Sequence, residues 1–233
     1  MNKKGAEIVL IMGESGSGKS TSARNLNSEK TCIIKPNSNS LPFPGYNKNY
    51  EEGKNLFITD KISDVKALLR ADFMKKFDVV FIDDLNLWFN ARTTSTSFIG
   101  QNAGNAAFAK WNVFAADVIQ SFFKPAKDMK EGTTLIISAH TEVKDNGLIG
   151  IKTSGKLLDN SLKMQSYATY VLHALVLESD KDVTYKFLTN RDGIHEAKSP
   201  AGCLDKYIPN DLDAVVKRIK AYKAGDVKDI IWK

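Results

Sequence analysis

The stretch Gly13-Glu14-Ser15-Gly16-Ser17-Gly18-Lys19-Ser20 decides the fold of this 233-residue chain. Its spacing is G-x-x-x-x-G-K-S, and it follows the apolar run Glu7 to Met12, which is typical of a buried parallel strand. The glycines allow successive backbone N–H groups to converge on phosphate oxygens, and we expect a helix to begin near Lys19. A glycine-rich turn that only caps a helix would use the same residues, but the preceding strand favours a phosphate-binding loop.

This loop predicts the residues that bind a nucleotide. The Lys19 ammonium is expected to neutralise the β and γ phosphates, which gives it a catalytic role, and the Ser20 hydroxyl is expected to ligate Mg²⁺. The complete set of expected nucleotide-binding residues is Gly13, Glu14, Ser15, Gly16, Ser17, Gly18, Lys19, Ser20 and Thr21.

A second apolar run, Asp78 to Ile82, ends in the paired carboxylates Asp83 and Asp84. A phosphate-binding loop needs a carboxylate at the tip of a nearby strand to hold the hydrated metal, so we assign Asp83 with Ser20 to the metal site. Asp84 has two interpretations that fit equally well. It can be the catalytic group that activates water, or it can cap the following helix.

The strand predicted at Thr134 to Ser138 is followed by His140. We place His140 with the catalytic residues, because P-loop ATPases carry a polar sensor of the γ-phosphate at the end of this strand. A single histidine at a strand end also serves as a structural hydrogen-bonding group, and this second interpretation stays open.

Strand and helix signals alternate along the rest of the chain. They predict an α/β protein with a mostly parallel sheet flanked by helices, formed by residues 1–233 as a single domain. Two strands near the C-terminus, Ala168 to Leu177 and Val183 to Leu188, are joined by a short polar turn and predict an antiparallel pair. A helical stripe runs from Trp111 to Phe122, and a last helix is expected at about 211–223 with Asn210 as its N-cap.

Composition limits the class of protein. Hydrophobic residues make up 42% of the chain, no apolar run is long enough for a membrane span, and the apolar run that ends at Met12 is too short for a signal peptide core. We therefore expect a cytoplasmic protein that does not enter a membrane. Cys32 and Cys203 lie far apart without neighbouring histidines, which predicts two reduced thiols. The net charge of +6 favours an anionic partner without identifying it.

Two polar segments, 92–105 and 141–163, are expected to leave the carboxyl ends of strands, where open α/β sheets bind ligands. They can be solvated loops, or loops that contact DNA. In the DNA interpretation, phosphates are bound by lysines of the second segment, and Phe98 in the first segment stacks on a base. The lysines are Lys144, Lys152, Lys156 and Lys163.

The order of these motifs resembles a known family. The stretches Gly13 to Ser20, Ile33 to Phe43, Phe81 to Asp84, Ile136 to His140 and Ala197 to Gly202 together resemble phage-encoded P-loop nucleotide-binding proteins of the RecA/Rad51-like class. Those proteins are associated with single-strand annealing and recombination. The resemblance covers nearly the whole chain, and it implies a RecA-like core that binds and hydrolyses ATP with Mg²⁺.

The resemblance also implies partners. They are single-stranded DNA at the two polar segments, further copies of the chain in a ring or filament, and phage recombination proteins in the cytoplasm of a host cell. Lys198, or Arg191 upstream of it, would reach the γ-phosphate of a neighbouring subunit, although Lys198 can also be a surface lysine. The sequence departs from the family at Asn37, where related proteins have an acidic water activator. An amide cannot accept the proton, so hydrolysis is expected to be slow or to depend on Asp84.

Two other functions use the same loop. A small-molecule or nucleotide kinase usually places several arginines over the transferred phosphate, whereas only Arg191 and Arg218 follow His140. A non-hydrolysing ATP switch or assembly protein would fit the amide at Asn37. A GTPase is disfavoured because the sequence has no Asn-Lys-x-Asp guanine-reading motif.

Overall fold

The computed structural model describes residues 5–100, 104, 106–178 and 182–226. Its main sheet is built around the strand that precedes the phosphate-binding loop. Within these residues the strands are β1 (Glu7–Met12), β2 (Thr31–Lys35), β3 (Leu56–Ile58), β4 (Val79–Ile82), β5 (Thr134–Ala139), β6 (Thr141–Val143), β7 (Ile149–Ile151), β8 (Tyr170–Glu178), β9 (Val183–Leu188) and β10 (Tyr207–Pro209).

Among the described strands the main sheet has eight members in the order β10-β9-β8-β1-β5-β4-β2-β3. All neighbours from β8 to β3 pair in parallel, whereas β9 runs antiparallel to both β8 and β10. The predicted α/β class and the antiparallel C-terminal strand pair are therefore confirmed. Strand β5 lies between β1 and β4, so the loop after β1 and the carboxylates after β4 are separated by the strand that leads to His140.

Alternating side chains of the central strand supply both cores. Leu10 and Met12 point into one apolar cluster, and Val9 and Ile11 point into the other, as expected for a strand buried on both faces. The described helices cover these two faces. They are α1 (Tyr46–Asn49), α2 (Ile62–Arg70), α3 (Leu85–Thr93), α4 (Thr96–Ile99), α5 (Ala106–Val118), α6 (Lys156–Ser161) and α7 (Leu212–Ala224).

The helix expected to begin near Lys19 is a short 3₁₀-helix. The structure has a 3₁₀-helix of five residues, Thr21–Asn25, and Leu26 is already extended at ψ 139°. The Ser22 hydroxyl donates a hydrogen bond back to the carbonyl of Lys19, and such local bonds from small polar side chains compete with a regular helix. A helix this short adds little dipole, so an anion in the loop would depend on the backbone N–H groups themselves.

Segment 92–105 is not the open loop that its composition suggested. Helix α3 continues to Thr93, α4 follows, and Ser95 caps α4 by accepting a hydrogen bond from the backbone of Phe98. The Phe98 ring is 3% exposed and packs edge-on against Trp111 and Phe114. The prediction that Phe98 stacks on a base is therefore wrong, because its faces are used in the core. Residues 101–103 and 105 of this segment lie outside the described part.

Segment 141–163 is also ordered. Strands β6 and β7 form an antiparallel hairpin through a turn at Asn146-Gly147, where Gly147 has a φ of 78°, and α6 follows. Asn-Gly between short alternating runs is a strong hairpin signal. The many lysines and glycines of this segment are typical of a loop, so its composition did not indicate the hairpin. The prediction of an unstructured polar loop here is wrong.

The last helix begins one residue later than predicted. Asp211, not Asn210, is the N-cap of α7, because its side chain accepts hydrogen bonds from the backbone of Asp213 and Ala214. Asn210 is 4% exposed and lies against the phosphate-binding loop. No helix of the described residues is long and apolar enough to cross a membrane.

Candidate functional site

A cavity of about 710 Å³ opens at the carboxyl ends of β1, β4 and β5. Its floor is the phosphate-binding loop, and Asp83, Asp84 and His140 line one side. The sequence placed these groups at three separate strand ends, and the strand order brings them to one edge of the sheet.

The loop has the backbone geometry that its glycines predict. Gly16 and Gly18 have φ angles of 82° and 84°, in the left-handed region where a side chain is strained. At Gly13 a Cβ atom would lie 2.8 Å from the carbonyl oxygen of Ala174 on β8, so the start of the loop is packed directly against the neighbouring strand. Glu14 and Ser15 are exposed at the rim of the loop, whereas Ser17 is buried.

Lys19 is held inside the loop. Its Nζ donates hydrogen bonds to the carbonyl oxygens of Gly13, at 2.9 Å, and Glu14, at 2.7 Å. Burial lowers the pKa of Lys19, and the carboxylates of Asp84, Asp83 and Glu14 oppose this shift. The ammonium group thus lies in the cavity floor close to two carboxylates.

Ser20 and Asp83 meet although 63 positions separate them in sequence. The Ser20 hydroxyl donates to Asp83 Oδ1 at 2.9 Å, and the Ser138 hydroxyl donates to the same oxygen at 2.8 Å. Burial raises the pKa of Asp83, and these two hydrogen bonds act against the shift. A hydroxyl and a carboxylate in contact are hard oxygen ligands, so the chemistry of this pair fits Mg²⁺.

The conformation of Asp84 separates its two interpretations. Its φ of 68° is the one left-handed value found at a non-glycine position in the described residues. Its side chain accepts no capping hydrogen bond from α3, although it occupies the N-cap position. Asp84 Oδ2 lies 3.5 Å from His140 Nε2, while Oδ1 is buried without a hydrogen-bond partner among the described residues. The carboxylate therefore lines the cavity and does not cap the helix.

His140 is fixed through its backbone. The His140 N–H donates to Asn86 Oδ1 at 2.7 Å, and Asn86 Nδ2 donates to the carbonyl of Lys152 at 2.9 Å. Asn86, 8% exposed on α3, therefore joins the end of β5 to the residue after β7. Sequence reasoning missed Asn86, because an asparagine two positions after a carboxylate pair has no distinguishing pattern.

Two further residues refine the site. Asn37 accepts a hydrogen bond from the backbone of Asn39 at 3.3 Å, and it is not among the described residues that line the cavity. Lys35, at the end of β2, is 5% exposed, and burial lowers its pKa while the charge of Asp83 opposes this. Sequence reasoning missed Lys35, since the preceding Cys-Ile-Ile only marks a strand.

The lysines predicted to contact DNA have different environments. Lys144 Nζ lies 2.8 Å from both Glu142 Oε1 and Asp159 Oδ2, and its side chain is 19% exposed. Burial acts to lower the pKa of Lys144, but hydrogen bonds to Asp159 and Glu142 outweigh it and the pKa is raised. The charge of Lys144 is therefore balanced by two carboxylates of its own segment.

Lys156, Lys163 and Lys198 line a second cavity of about 750 Å³. Lys156 pairs with Asp145 at 3.0 Å, and both side chains are more than four-fifths exposed. Lys152 and Lys163 are exposed. Lys198 is exposed too and lines this second cavity, while its backbone pairs with Val171 of β8. The predicted site residues thus fall into two groups. The phosphate-binding loop and the carboxylates line the first cavity, and lysines line the second.

Comparison with known proteins adds little beyond this geometry. No family model matches the chain, and no curated protein matches it. Among solved structures it is similar to the flagellar accessory protein FlaH from Methanocaldococcus jannaschii, with 14% identity and a TM-score of 0.46 over 88% of this chain and 84% of that one. A likeness at this level carries no argument about function.

The fold and the cavity define the class. A G-x-x-x-x-G-K-S loop after a central strand, with Ser20 of the loop bonded to Asp83 at the end of the strand two places away, is the arrangement of a RecA-like P-loop fold. Nucleotide binding is the general property that this fold supports.

Proposed function

We propose that the chain binds ATP with Mg²⁺ in the 710 Å³ cavity and hydrolyses it. The observation that carries this proposal is the 2.9 Å contact between Ser20 Oγ and Asp83 Oδ1. It joins the loop to the buried carboxylate, which is the pairing that a P-loop nucleotide site requires. Bound Mg²⁺ would supply positive charge to the phosphate oxygens.

The residues of the chain have separate roles in this proposal. Lys19 neutralises phosphate charge, and the loop N–H groups donate to the phosphate oxygens. The Asp84 carboxylate accepts a proton from the attacking water, and His140 Nε2, 3.5 Å from Asp84 Oδ2, lies beside it. Asn37 takes no part, since its amide is used in a local turn.

Removing the lysine charge tests nucleotide binding. Lys19→Ala should weaken MgATP binding by about 10²-fold in calorimetry, because a charged hydrogen-bonding group is removed. Lys48→Ala, an exposed lysine of α1, is the matched control and should leave the affinity unchanged. Equal affinities for the parent and Lys19→Ala, with both folded, would remove the loop from the proposal.

Removing the metal carboxylate separates binding from turnover. Asp83→Asn should lower Mg²⁺-dependent phosphate release more than it lowers nucleotide affinity, because Asp83 holds the metal and not the base or ribose. If the variant kept the turnover of the parent at every Mg²⁺ concentration, Asp83 would have no role in binding the metal. ADP that forms only when an acceptor molecule is added, with the phosphoryl group bound to the acceptor and no free phosphate released, would favour the kinase alternative.

We also propose single-stranded DNA as the partner of segment 141–163. The support is Asn86, whose amide joins His140 at the nucleotide cavity to Lys152 beside the hairpin. A nucleotide that moves the end of β5 would thus move Lys152. Further copies of the chain, with Lys198 reaching a neighbouring site, belong to the same proposal.

Salt-dependent DNA binding tests this partner. Replacing Lys152 and Lys163 with alanine should reduce the slope of log K against log salt by about 0.7 for each phosphate that the variant no longer neutralises. Asn86→Ala should abolish the tightening of DNA binding by ATP without changing the affinity measured in its absence, and Asn90→Ala on the exposed side of α3 is the control. No detectable DNA binding at low salt, with or without ATP, would overturn the DNA proposal.

A further inference from the structure

The nucleotide cavity extends beyond the phosphate-binding loop to a wall with apolar and planar groups. Val183 and Tyr185 of β9 line this wall and are 56% and 45% exposed. They are two positions apart, so they share one face of the strand. Pro42 and Pro209 line the same cavity. Exposed apolar side chains at the mouth of a polar pocket suit the uncharged end of a ligand whose phosphates lie in the loop.

The Tyr185 ring is placed against the loop by close packing. A Cβ atom on Gly18 would lie 3.1 Å from Cδ1 of Tyr185 and 3.2 Å from Oδ1 of Asn210. The absence of a side chain at Gly18 therefore allows the ring to approach the phosphate end of the cavity. Because Tyr185 remains 45% exposed, ring surface stays accessible from the cavity.

Arg24 lies at the same wall with its guanidinium fixed. Its Nη1 donates to the carbonyl oxygens of Asn210, at 2.8 Å, and Thr21, at 3.2 Å. Asn210 is itself buried, and its Nδ2 lies 3.5 Å from the carbonyl oxygen of Ser17. A planar cation held in this way offers a flat, weakly hydrated surface to the cavity that Tyr185 also lines.

We propose that Tyr185 is the platform on which the base of the nucleotide stacks, and that Arg24 and Asn210 border the base. The inference rests on the proposed nucleotide site and names the part of the ligand that lies away from the phosphates. Stacking uses the π-face that every base has, so Tyr185 contributes affinity for a nucleotide over a bare polyphosphate. A purine, with two fused rings, covers more of the platform than a pyrimidine.

The experiment compares two ligands, MgATP and inorganic tripolyphosphate with Mg²⁺, by calorimetry on the full chain. Tyr185→Ala should weaken ATP binding by about tenfold and leave tripolyphosphate binding unchanged, because the base no longer has a ring to stack on. Tyr185→Phe keeps the ring and should bind ATP like the parent. The matched control is Tyr207→Ala on β10, where the tyrosine is 44% exposed and lies outside the described lining of the cavity.

The outcomes separate this inference from the proposed function. A Tyr185→Ala variant that weakens both ligands equally, or neither, overturns the platform, as does an equal weakening in Tyr207→Ala. A parent that binds tripolyphosphate as tightly as ATP also overturns the platform while the phosphate site stands. A parent that binds neither ligand overturns the proposed function itself.

Discussion

The nucleotide cavity and the hairpin segment 141–163 differ in how their charged side chains are paired. Near the cavity, Ser17 Oγ, Asp84 Oδ1 and His173 Nδ1 are buried without hydrogen-bond partners among the described residues. In the hairpin segment, Lys144 has carboxylate oxygens on two sides. An unpaired buried polar atom costs stability and is retained where a ligand completes it, whereas a paired one stabilises the fold. Thr141 Oγ1 in the hairpin segment is also buried without a partner among the described residues, so the difference concerns the charged groups Asp84 and Lys144.

The largest expected effect comes from removing the carboxylate whose Oδ1 has no hydrogen-bond partner among the described residues. Asp84→Asn should lower ATP turnover by about 10²-fold, because an amide cannot accept a proton. The same change should leave stability nearly equal, because asparagine also tolerates the left-handed backbone. Turnover and denaturant midpoint are measured on the same preparations.

Asn37→Glu is the matched test of the alternative activator. An unchanged turnover is expected, because Asn37 lies outside the described lining of the cavity. A rise of about tenfold or more would show that the missing acid at this position limits hydrolysis. If Asp84→Asn keeps the turnover of the parent, the Asp84 carboxylate does not activate water, and its unpartnered oxygen does not mark a catalytic group.

The hairpin segment supplies the second test. Lys144→Ala should lower the free energy of unfolding by about 2 kcal/mol, because two partly buried carboxylates, Glu142 and Asp159, lose their common cation. Lys156→Ala removes an exposed ion pair with Asp145 and should change it by less than about 0.5 kcal/mol. Urea denaturation measures both. Equal effects of the two changes would mean that the network of Lys144 is not structural.

The smallest expected effect concerns His173, whose ring packs 4.5 Å from that of His195. Burial, followed by the charge of His195, lowers the pKa of His173 to about 4 from 6.5. Below pH 6.5 the His173 side chain binds a proton in the unfolded chain but stays neutral in the folded chain. The contribution of His173 to the free energy of unfolding is therefore complete above pH 6.5 and declines as the pH falls toward 4. Between about pH 7.5 and about pH 5.5 the decrease in stability should be about 1 kcal/mol.

His173→Gln isolates this contribution. The raised pKa of Asp83 acts with the opposite sign, since there the folded state binds the proton more readily, but it is present in both proteins. Urea midpoints at the two pH values should therefore differ more in the parent than in the variant. The same pH dependence in both would show that His173 is not held in its neutral form.

The sequence predicted those parts of the site that depend on short spacing. The loop, the strand before it and Asp83 follow from local patterns, because a phosphate cradle and a strand-end carboxylate need particular residues at particular separations. Ser138, Lys35 and Asn86 could not be predicted, since their positions depend on which strands become neighbours. Phe98 was misjudged because polar neighbours in sequence conceal a ring that is buried by distant helices.

The hydrogen bonds that join the two ends of the described chain have a consequence for how the protein is made. Arg24 bonds to Asn210, 186 positions later, and the side chain of Asn25 donates to Asp211 at 2.7 Å. On the ribosome the complete G-x-x-x-x-G-K-S motif emerges well before β9 and the start of α7, so the wall that these two elements form is absent when the motif has already been synthesised. A nascent chain that stops before Val183 would carry the whole motif and only part of the cavity.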